Sequence, residues 1–259
     1  MPSPSPEEQA ERRRKRLYLL FALFGGGSSW VSTTLAFMEV PIYQRHFKGL
    51  SLSNRLALGY NLGTLPAALW VLALWCGWRP KKRGQSIYVL LAIQLVAVTC
   101  LLIAVPQSPF FSVEFLAFAQ FLGGACGYCS QFVCVPYLVS VFENELVGAF
   151  LTGDAASSVI AALIALIQEP ASKPPRFGLA AYVSVAGLPI VLCSIMAFVH
   201  IERTQAGRLP EESSRRLIEG EEQQSTIKPY YLEPLTWKLG LVVFWSQFAD
   251  WGVGDSVYP

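Results

Sequence analysis

Long apolar runs separated by short polar segments dominate this chain. Six of the runs are about 20 residues long, the length at which an α-helix crosses the roughly 30 Å hydrocarbon core of a bilayer. They cover residues 17–38, 56–76, 86–106, 113–141, 146–168 and 179–199, and a seventh begins at 238 and reaches the last residue, 259. The pattern predicts an all-α fold, a polytopic transmembrane helix bundle with six full spans and the start of a seventh.

The polar segments divide the chain into four parts. Residues 1–16 are rich in proline, serine and charge, which predicts a disordered, basic N-terminus. Residues 17–200 form the predicted six-helix bundle. Residues 201–237 are polar and poor in aliphatic side chains, so we expect a flexible linker before the seventh helix at 238–259.

Composition and charge support a membrane location and give an orientation. Hydrophobic residues make up 53% of the chain and charged residues 15%, against about 25% charged residues in soluble domains. Of the 20 lysines and arginines, 15 fall on the side of the N-terminus and 5 on the other side. The positive-inside rule therefore predicts a cytoplasmic N-terminus and linker. Basic clusters beside spans match anionic lipid headgroups, and we expect no nucleic-acid partner.

The first span carries polar residues that a purely lipid-facing helix does not need. Trp30, Thr34 and Phe37 follow one another at helical spacing and share one face, with a stripe of small residues beside it. An aromatic and hydroxyl-bearing face suits a planar ligand that forms hydrogen bonds. The alternative is that the hydroxyls bond to carbonyls of their own helix. Glu39 follows near the outer interface, where water is the alternative to a ligand.

The second and fourth spans carry amide side chains. Asn61 lies beside Gly63 and Pro66, which break an otherwise plain helix, and a structural kink or a substrate pathway explains them equally well. In the fourth span the spacing i, i+4, i+7, i+11 places four residues on one face: Gln120, Gly124, Gly127 and Gln131. Two amides on a glycine-lined face suit a neutral polar ligand, although glycine faces also serve plain helix packing.

Asp154, in the fifth span, is the strongest single indication of function. A carboxylate at the bilayer centre costs at least ~2.5–3.5 kcal/mol on insertion scales, so such residues are functional candidates. Its helix-face neighbours are small, which predicts that Asp154 points into protein. The alternative is a protonated or hydrogen-bonded aspartate that serves packing.

The cysteines and the known catalytic motifs give no further chemistry. The six cysteines lie within or at the edges of predicted spans, where they act as small hydrophobic residues, and CGYC at 126–129 lacks the context of a redox motif. The chain contains no Ser/His/Asp, HExxH or phosphate-loop pattern. We therefore expect no enzyme activity, no cofactor and no metal.

Three stretches resemble the eukaryotic riboflavin transporters of the solute-carrier type. FGGGSSWVSTTLAFMEVP resembles the Phe-Gly…Gly-Ser-Trp…Glu-Leu-Pro signature of that family, and GLSLSN with LGYNLGTLPAAL is similar to its Gly-Trp-x-Leu-Pro-Ser entry to the second helix. ACGYCSQFVCVPYL followed by FLTGDAASSVIAALIALIQ is similar to its third motif region. The resemblance covers residues 20–168 and about the last dozen residues of the chain. Thr34 stands where the family has Asn, and Asp154 where it has Glu or Gln.

The resemblance implies uptake of riboflavin across the plasma membrane, without ATP and without covalent chemistry. In this interpretation Trp30 and Phe37 stack on the flavin ring, and the amides read its polar edges. Asp154 accepts a hydroxyl of the tail or exchanges a proton. The full set of expected substrate-binding residues is Trp30, Thr34, Phe37, Glu39, Asn61, Gln120, Gln131 and Asp154.

The family has more spans than this chain, so we expect a truncated product or a shortened homologue that pairs with a second membrane half or a second copy. Two other functions are open. One is a transporter of another small polar solute, and the other is a membrane receptor or assembly subunit that does not transport.

Overall fold

The computed structural model describes residues 5–47, 52–78, 83–142 and 144–204, and these residues contain helices and no β-strand. The helices are α1 (Pro6–Gly27), α2 (Val31–Met38), α3 (Val40–His46), α4 (Leu52–Leu62), α5 (Thr64–Trp75), α6 (Arg83–Ile103), α7 (Val113–Val141), α8 (Asn144–Gln168), α9 (Leu179–Ala186) and α10 (Leu188–Thr204). The expected linker beyond Thr204 and the expected seventh helix at 238–259 lie outside the described residues.

Five stretches of the described chain are long and apolar enough to cross a membrane. They are Leu52–Trp75, Gly84–Ile103, Val113–Val141, Glu145–Gln168 and Leu179–Thr204. The number becomes six if α1 and α2, which meet at a bend of 55°, form one broken span. The prediction of an all-helical fold is therefore confirmed for the described residues, and their five to six candidate spans fit a multi-pass membrane protein.

The N-terminal helix begins earlier than the sequence led us to expect. Residues 6–16, predicted to be disordered, belong to α1. The helix starts with a capping box, in which the Ser5 hydroxyl accepts from the Glu8 backbone N–H and the Glu8 carboxylate accepts from the Ser5 N–H. At the far end of the basic segment the Arg14 guanidinium pairs with Glu145 of α8. A cap and a helical partner thus explain order in a segment whose composition suggests none.

Close backbone contact between α1 and its two neighbours α8 and α10 forms the centre of the bundle. A Cβ placed on Gly153 of α8 would lie 1.8 Å from the Ala22 backbone oxygen, and one on Gly25 would lie 1.9 Å from the Phe150 oxygen. On the other side of α1, a Cβ on Gly27 would lie 2.7 Å from the Ile190 oxygen of α10. The glycine run of the first span therefore lets three helices cross at backbone distance, as is common in membrane bundles.

The contact between α7 and the α4–α5 pair uses the same device. A Cβ on Gly124 would lie 2.3 Å from the Tyr60 backbone oxygen, and one on Gly63 would lie 2.5 Å from the Ala125 nitrogen. The sequence left two roles open for the glycine face of α7, ligand binding and plain helix packing. At Gly124 this face therefore serves helix packing.

The side-chain contacts between the segment from α1 to α3 and helix α8 occur in the same order along both segments. Arg14 pairs with Glu145, the Thr34 and Ser158 hydroxyls lie 3.3 Å apart, and Glu39 interacts with Gln168. The segment from α1 to α3 and helix α8 therefore run in parallel. Asp154 lies between the two ends of this arrangement, near the middle of α8.

Candidate functional site

The break between α1 and α2 positions Trp30 against α7. Ser28 ends α1, with its backbone N–H and its hydroxyl both directed to the Gly25 oxygen, at 3.3 and 3.0 Å. α2 then starts at Val31 in a new direction. The Trp30 ring occupies the space above Gly127, where a Cβ would lie 2.3 Å from ring carbon Cε3. Gly127 therefore serves to admit an indole ring, and the break serves to direct it there.

Trp30 belongs to a cluster of four aromatic side chains, which we call the aromatic cluster. The Trp30 ring centroid lies 5.2 Å from that of Tyr128 and 5.8 Å from that of Tyr60. The Tyr60 and Tyr128 centroids are 5.4 Å apart, and Phe37 joins at 6.1 Å from Tyr60. All four side chains are only partly buried, so ring surface is left for a further aromatic group.

A polar group with unused hydrogen-bonding capacity adjoins the aromatic cluster. Asp154 of α8 faces the Ser29 hydroxyl and the Trp30 backbone N–H at the break between α1 and α2. The Asp154 Oδ1 and Ser29 Oγ atoms have no partner in hydrogen-bonding geometry. One helical turn along α8, Ser158 contacts the Thr34 hydroxyl. We call the aromatic cluster together with Thr34, Ser158 and Asp154 the central site.

The structure places Gln120 outside the central site. Gln120 belongs to α7 and packs against a different face of α2 from the one that carries Thr34. Gln120 Nε2 donates to the Thr33 backbone oxygen at 3.4 Å, and the Ser32 hydroxyl donates to Gln94 Oε1 at 3.1 Å. Both glutamines are fully buried. They attach α2 to α7 and α6, which is a packing role, although one amide atom of each has no partner.

Gln131 and Asn61 differ from Gln120 in their exposure. Gln131 is exposed, although it shares the helical face of Gly127 one turn away. Among the described helices, α1 packs on α8 and α10 and leaves this part of α7 uncovered. Gln131 therefore lies at the open end of the face that Trp30 occupies. Asn61 is partly buried beside Tyr60 and uses its backbone oxygen to accept from the Thr64 hydroxyl at 2.7 Å.

Glu39 lies apart from the central site and is completely buried. It follows α2, nine residues after Trp30, and contacts Gln168 at the end of α8. The possibility that Glu39 sits in water at the outer interface does not hold in the structure. Of the expected binding residues, the structure thus brings Trp30, Thr34, Phe37 and Asp154 together.

Three members of the central site, Tyr60, Tyr128 and Ser158, were not among the expected binding residues. Tyr128 lies within CGYC, where only the cysteines attracted a hypothesis. The cysteines of that motif are free, and the Cys126 thiol donates to the Leu90 backbone oxygen at 3.4 Å. Tyr128 follows Gly127 directly in α7. Its position beside the Trp30 ring could be inferred only once Trp30 was known to pack on Gly127.

A scan against protein-family models and searches of curated proteins and of solved structures find no match. Function is therefore inferred from the geometry of the central site.

Proposed function

We propose that this chain is a multi-pass transporter of the plasma membrane that takes up riboflavin, with six spans in this part of the chain and a cytoplasmic N-terminus. The observation that carries the proposal is the central site, in which aromatic rings adjoin a carboxylate at middle depth. The distribution of lysine and arginine supports the orientation, and the motif resemblance supports the substrate.

The aromatic cluster suits the flavin ring. Riboflavin carries a flat tricyclic ring, and partly exposed rings at 5–6 Å spacing offer a stacking surface of matching size. Stacking gains affinity without charge, so it does not require a cation or anion in the ligand. Phe37 extends the surface along α2.

The polar part of the central site suits the edges and the hydroxylated tail of riboflavin. Asp154 Oδ1 and Ser29 Oγ lack partners, so a ligand that bonds to them removes an unfavourable state. An ionised aspartate accepts hydrogen bonds only, which matches the ribityl hydroxyls and the ring imide as donors. Gln131, at the open end of the same region, provides both donor and acceptor.

The broken first span supports transport over simple binding. Transporters commonly place substrate sites near the midplane at discontinuous helices, and α1 and α2 meet at such a break beside Asp154. A hinge at residues 28–30 lets α2 move with Trp30 and Thr34 while α1 stays packed on α8 and α10.

Uptake of labelled riboflavin by cells that express the chain tests the proposal, with surface expression measured in parallel. We expect saturable uptake that excess riboflavin competes and unrelated vitamins do not. If surface expression is good and no uptake occurs, the measurement is repeated with a chain extended past Pro259. Absence of uptake by the extended chain as well would refute riboflavin as the substrate.

A transporter of a small organic cation is the second candidate, because one observation favours it. Asp154 has no ion-pair partner among the described residues, and an unpaired carboxylate beside aromatic rings attracts cations by charge and by cation–π contact. Uptake of a labelled aromatic amine and uptake of labelled riboflavin, each measured separately in the same cells, distinguish the two. Uptake of the amine without uptake of riboflavin favours the cation.

Replacement of Trp30 by leucine is expected to weaken riboflavin binding about tenfold. The change removes the largest ring of the aromatic cluster and keeps an apolar side chain above Gly127. An aromatic pair contributes about 0.5–1.5 kcal/mol beyond its buried area. Quenching of riboflavin fluorescence by the purified protein measures the Kd. Trp75→Leu is the control, since Trp75 is 69% exposed and distant in sequence from the cluster. Equal Kd values for both variants would contradict the stacking role.

A further inference from the structure

The end of the bundle that holds Glu39 contains a second set of buried polar atoms. Glu39, Tyr43 and Gln168 are all fully buried. Gln168 faces Glu39, yet neither carboxylate oxygen has a partner in hydrogen-bonding geometry, and the same holds for the Tyr43 hydroxyl and Gln168 Oε1. Buried polar atoms in proteins are nearly always paired, so several orphans on adjoining side chains need an explanation.

The described side chains that interact with Glu39 are all uncharged. Tyr43 of α3 and Tyr182 of α9 are the titratable groups that interact with it, and α8 contributes Gln168. The Tyr182 hydroxyl is already used, since it donates to the Ala161 oxygen at 3.0 Å. Gln168 Nε2 donates to the Phe177 oxygen at 3.1 Å.

Within the described part of the chain, no cation balances the Glu39 carboxylate. Among the described residues, none of the ion pairs includes Glu39. Arg45, two turns along the chain, directs its guanidinium to the Pro170 backbone oxygen instead. Arg176 pairs with the exposed Glu169. An ionised Glu39 would therefore be a buried, unpaired charge, which costs several kcal/mol.

A proton resolves both problems. A protonated carboxyl is neutral, and it gains a donor for which the Tyr43 hydroxyl and Gln168 Oε1 are acceptors without partners. Glu39 lies just beyond the candidate span that ends at Met38, and burial raises its pKa to about 7. Below that pH the neutral acid dominates in the folded protein, and above it the carboxylate forms at the cost of desolvation.

We propose that Glu39 is a proton-binding site, separate from the central site, which loads at the end of the bundle expected to be extracellular. Its position gives it a role in movement. α2 carries Thr34, which contacts Ser158 of α8. Glu39 follows the last residue of α2 and contacts Gln168 of the same helix α8. Protonation changes the second of these contacts and leaves the first unaltered, so it alters how the far end of α2 is held. The link to uptake rests on the proposed function, whereas proton binding itself does not.

Infrared titration of the purified full chain tests proton binding without any substrate. We expect the carbonyl band of a protonated carboxylic acid to disappear with a midpoint near pH 7. Glu39→Gln should lose this band completely. Glu114→Gln is the matched control, because Glu114 is an exposed glutamate at a helix start, paired with Arg55, and the band should stay. A titrating band that is unchanged in Glu39→Gln, or no such band in the parent chain, overturns the proposal.

A second variant covers the case in which Glu39→Gln does not fold. Tyr43→Phe removes only the hydroxyl that lacks a partner, and it should shift the frequency of the acid band because the acid loses an acceptor. An unshifted band counts against the proposed pairing. Where riboflavin uptake is active, Glu39→Gln should also abolish its dependence on external pH. If uptake is absent but the acid band behaves as expected, riboflavin is rejected as the substrate, whereas the proton-binding site at Glu39 is supported.

Discussion

Replacement of Gly153 by alanine is expected to prevent stable assembly of the bundle. The new methyl group would lie 1.8 Å from the Ala22 backbone oxygen and 2.5 Å from its carbonyl carbon. Backbone atoms cannot rotate aside as a side chain does, so α1 and α8 must separate along their shared contact. Overpacking of this kind costs about 1–3 kcal/mol, and we expect a value at the upper end. Thermal unfolding in detergent, followed by size-exclusion chromatography, measures the loss as a lower midpoint or as aggregation.

Gly148→Ala provides a matched control in the same helix. Gly148 is exposed in α8 and a Cβ there would meet no atom within 4 Å. Alanine should therefore leave the midpoint unchanged or raise it, since glycine in a helix interior costs about 0.5–1 kcal/mol relative to alanine. If both variants unfold at the parent midpoint, α1 and α8 do not cross as described.

The sequence was sufficient to predict the long apolar helices, because length and hydropathy are properties of a single segment. The break at residues 28–30 was not predictable in the same way. GSSW contains no proline, and a run of serines is compatible with a continuous helix whose hydroxyls bond back to carbonyls. The direction of α2 depends on where the Trp30 ring is accommodated, and that place, above Gly127, is almost a hundred residues away in the chain.

Gln120 and Gln131 illustrate the same limit from the side of α7. A helical wheel gives the direction of a side chain but not which neighbour is present at its depth. Both glutamines project in nearly the same direction, yet Gln120 meets α2, whereas Gln131 is exposed among the described helices, where α1 packs on α8 and α10. The amide pair predicted as one ligand face is therefore one packing residue and one exposed residue.

Glu39 shows that position along a span does not determine exposure. A carboxylate one residue past an apolar run is ordinarily assigned to the interface, where water is available. Here α3 continues the chain directly, with Pro41 in its first turn, and α8 and α9 enclose the side chain. Asp154, in contrast, was correctly expected to face protein, because small neighbours at helical spacing indicate a packed face regardless of the partner.

Replacement of Asp154 by alanine is expected to reduce riboflavin uptake at least about tenfold while surface expression is unchanged. Hydrogen bonds to a charged group contribute about 1.5–3 kcal/mol, which corresponds to a loss of affinity of roughly 10- to 150-fold. Uptake measured well below saturation reports this loss directly. Ser29 Oγ and the Trp30 backbone N–H then face a space without the carboxylate, so stability should change little in comparison with binding.

Thr152→Val and Asp154→Asn separate the role of the carboxylate from that of its surroundings. Thr152 lies on the exposed side of α8 and uses its hydroxyl to donate to the Gly148 oxygen of its own helix, so uptake by Thr152→Val should equal that of the parent. Asp154→Asn keeps shape and hydrogen bonding but not charge, and partial uptake is expected if the carboxylate accepts from the riboflavin tail. Normal uptake in Asp154→Ala, at equal surface expression, would remove Asp154 from the binding site and leave the aromatic cluster as its only recognised part.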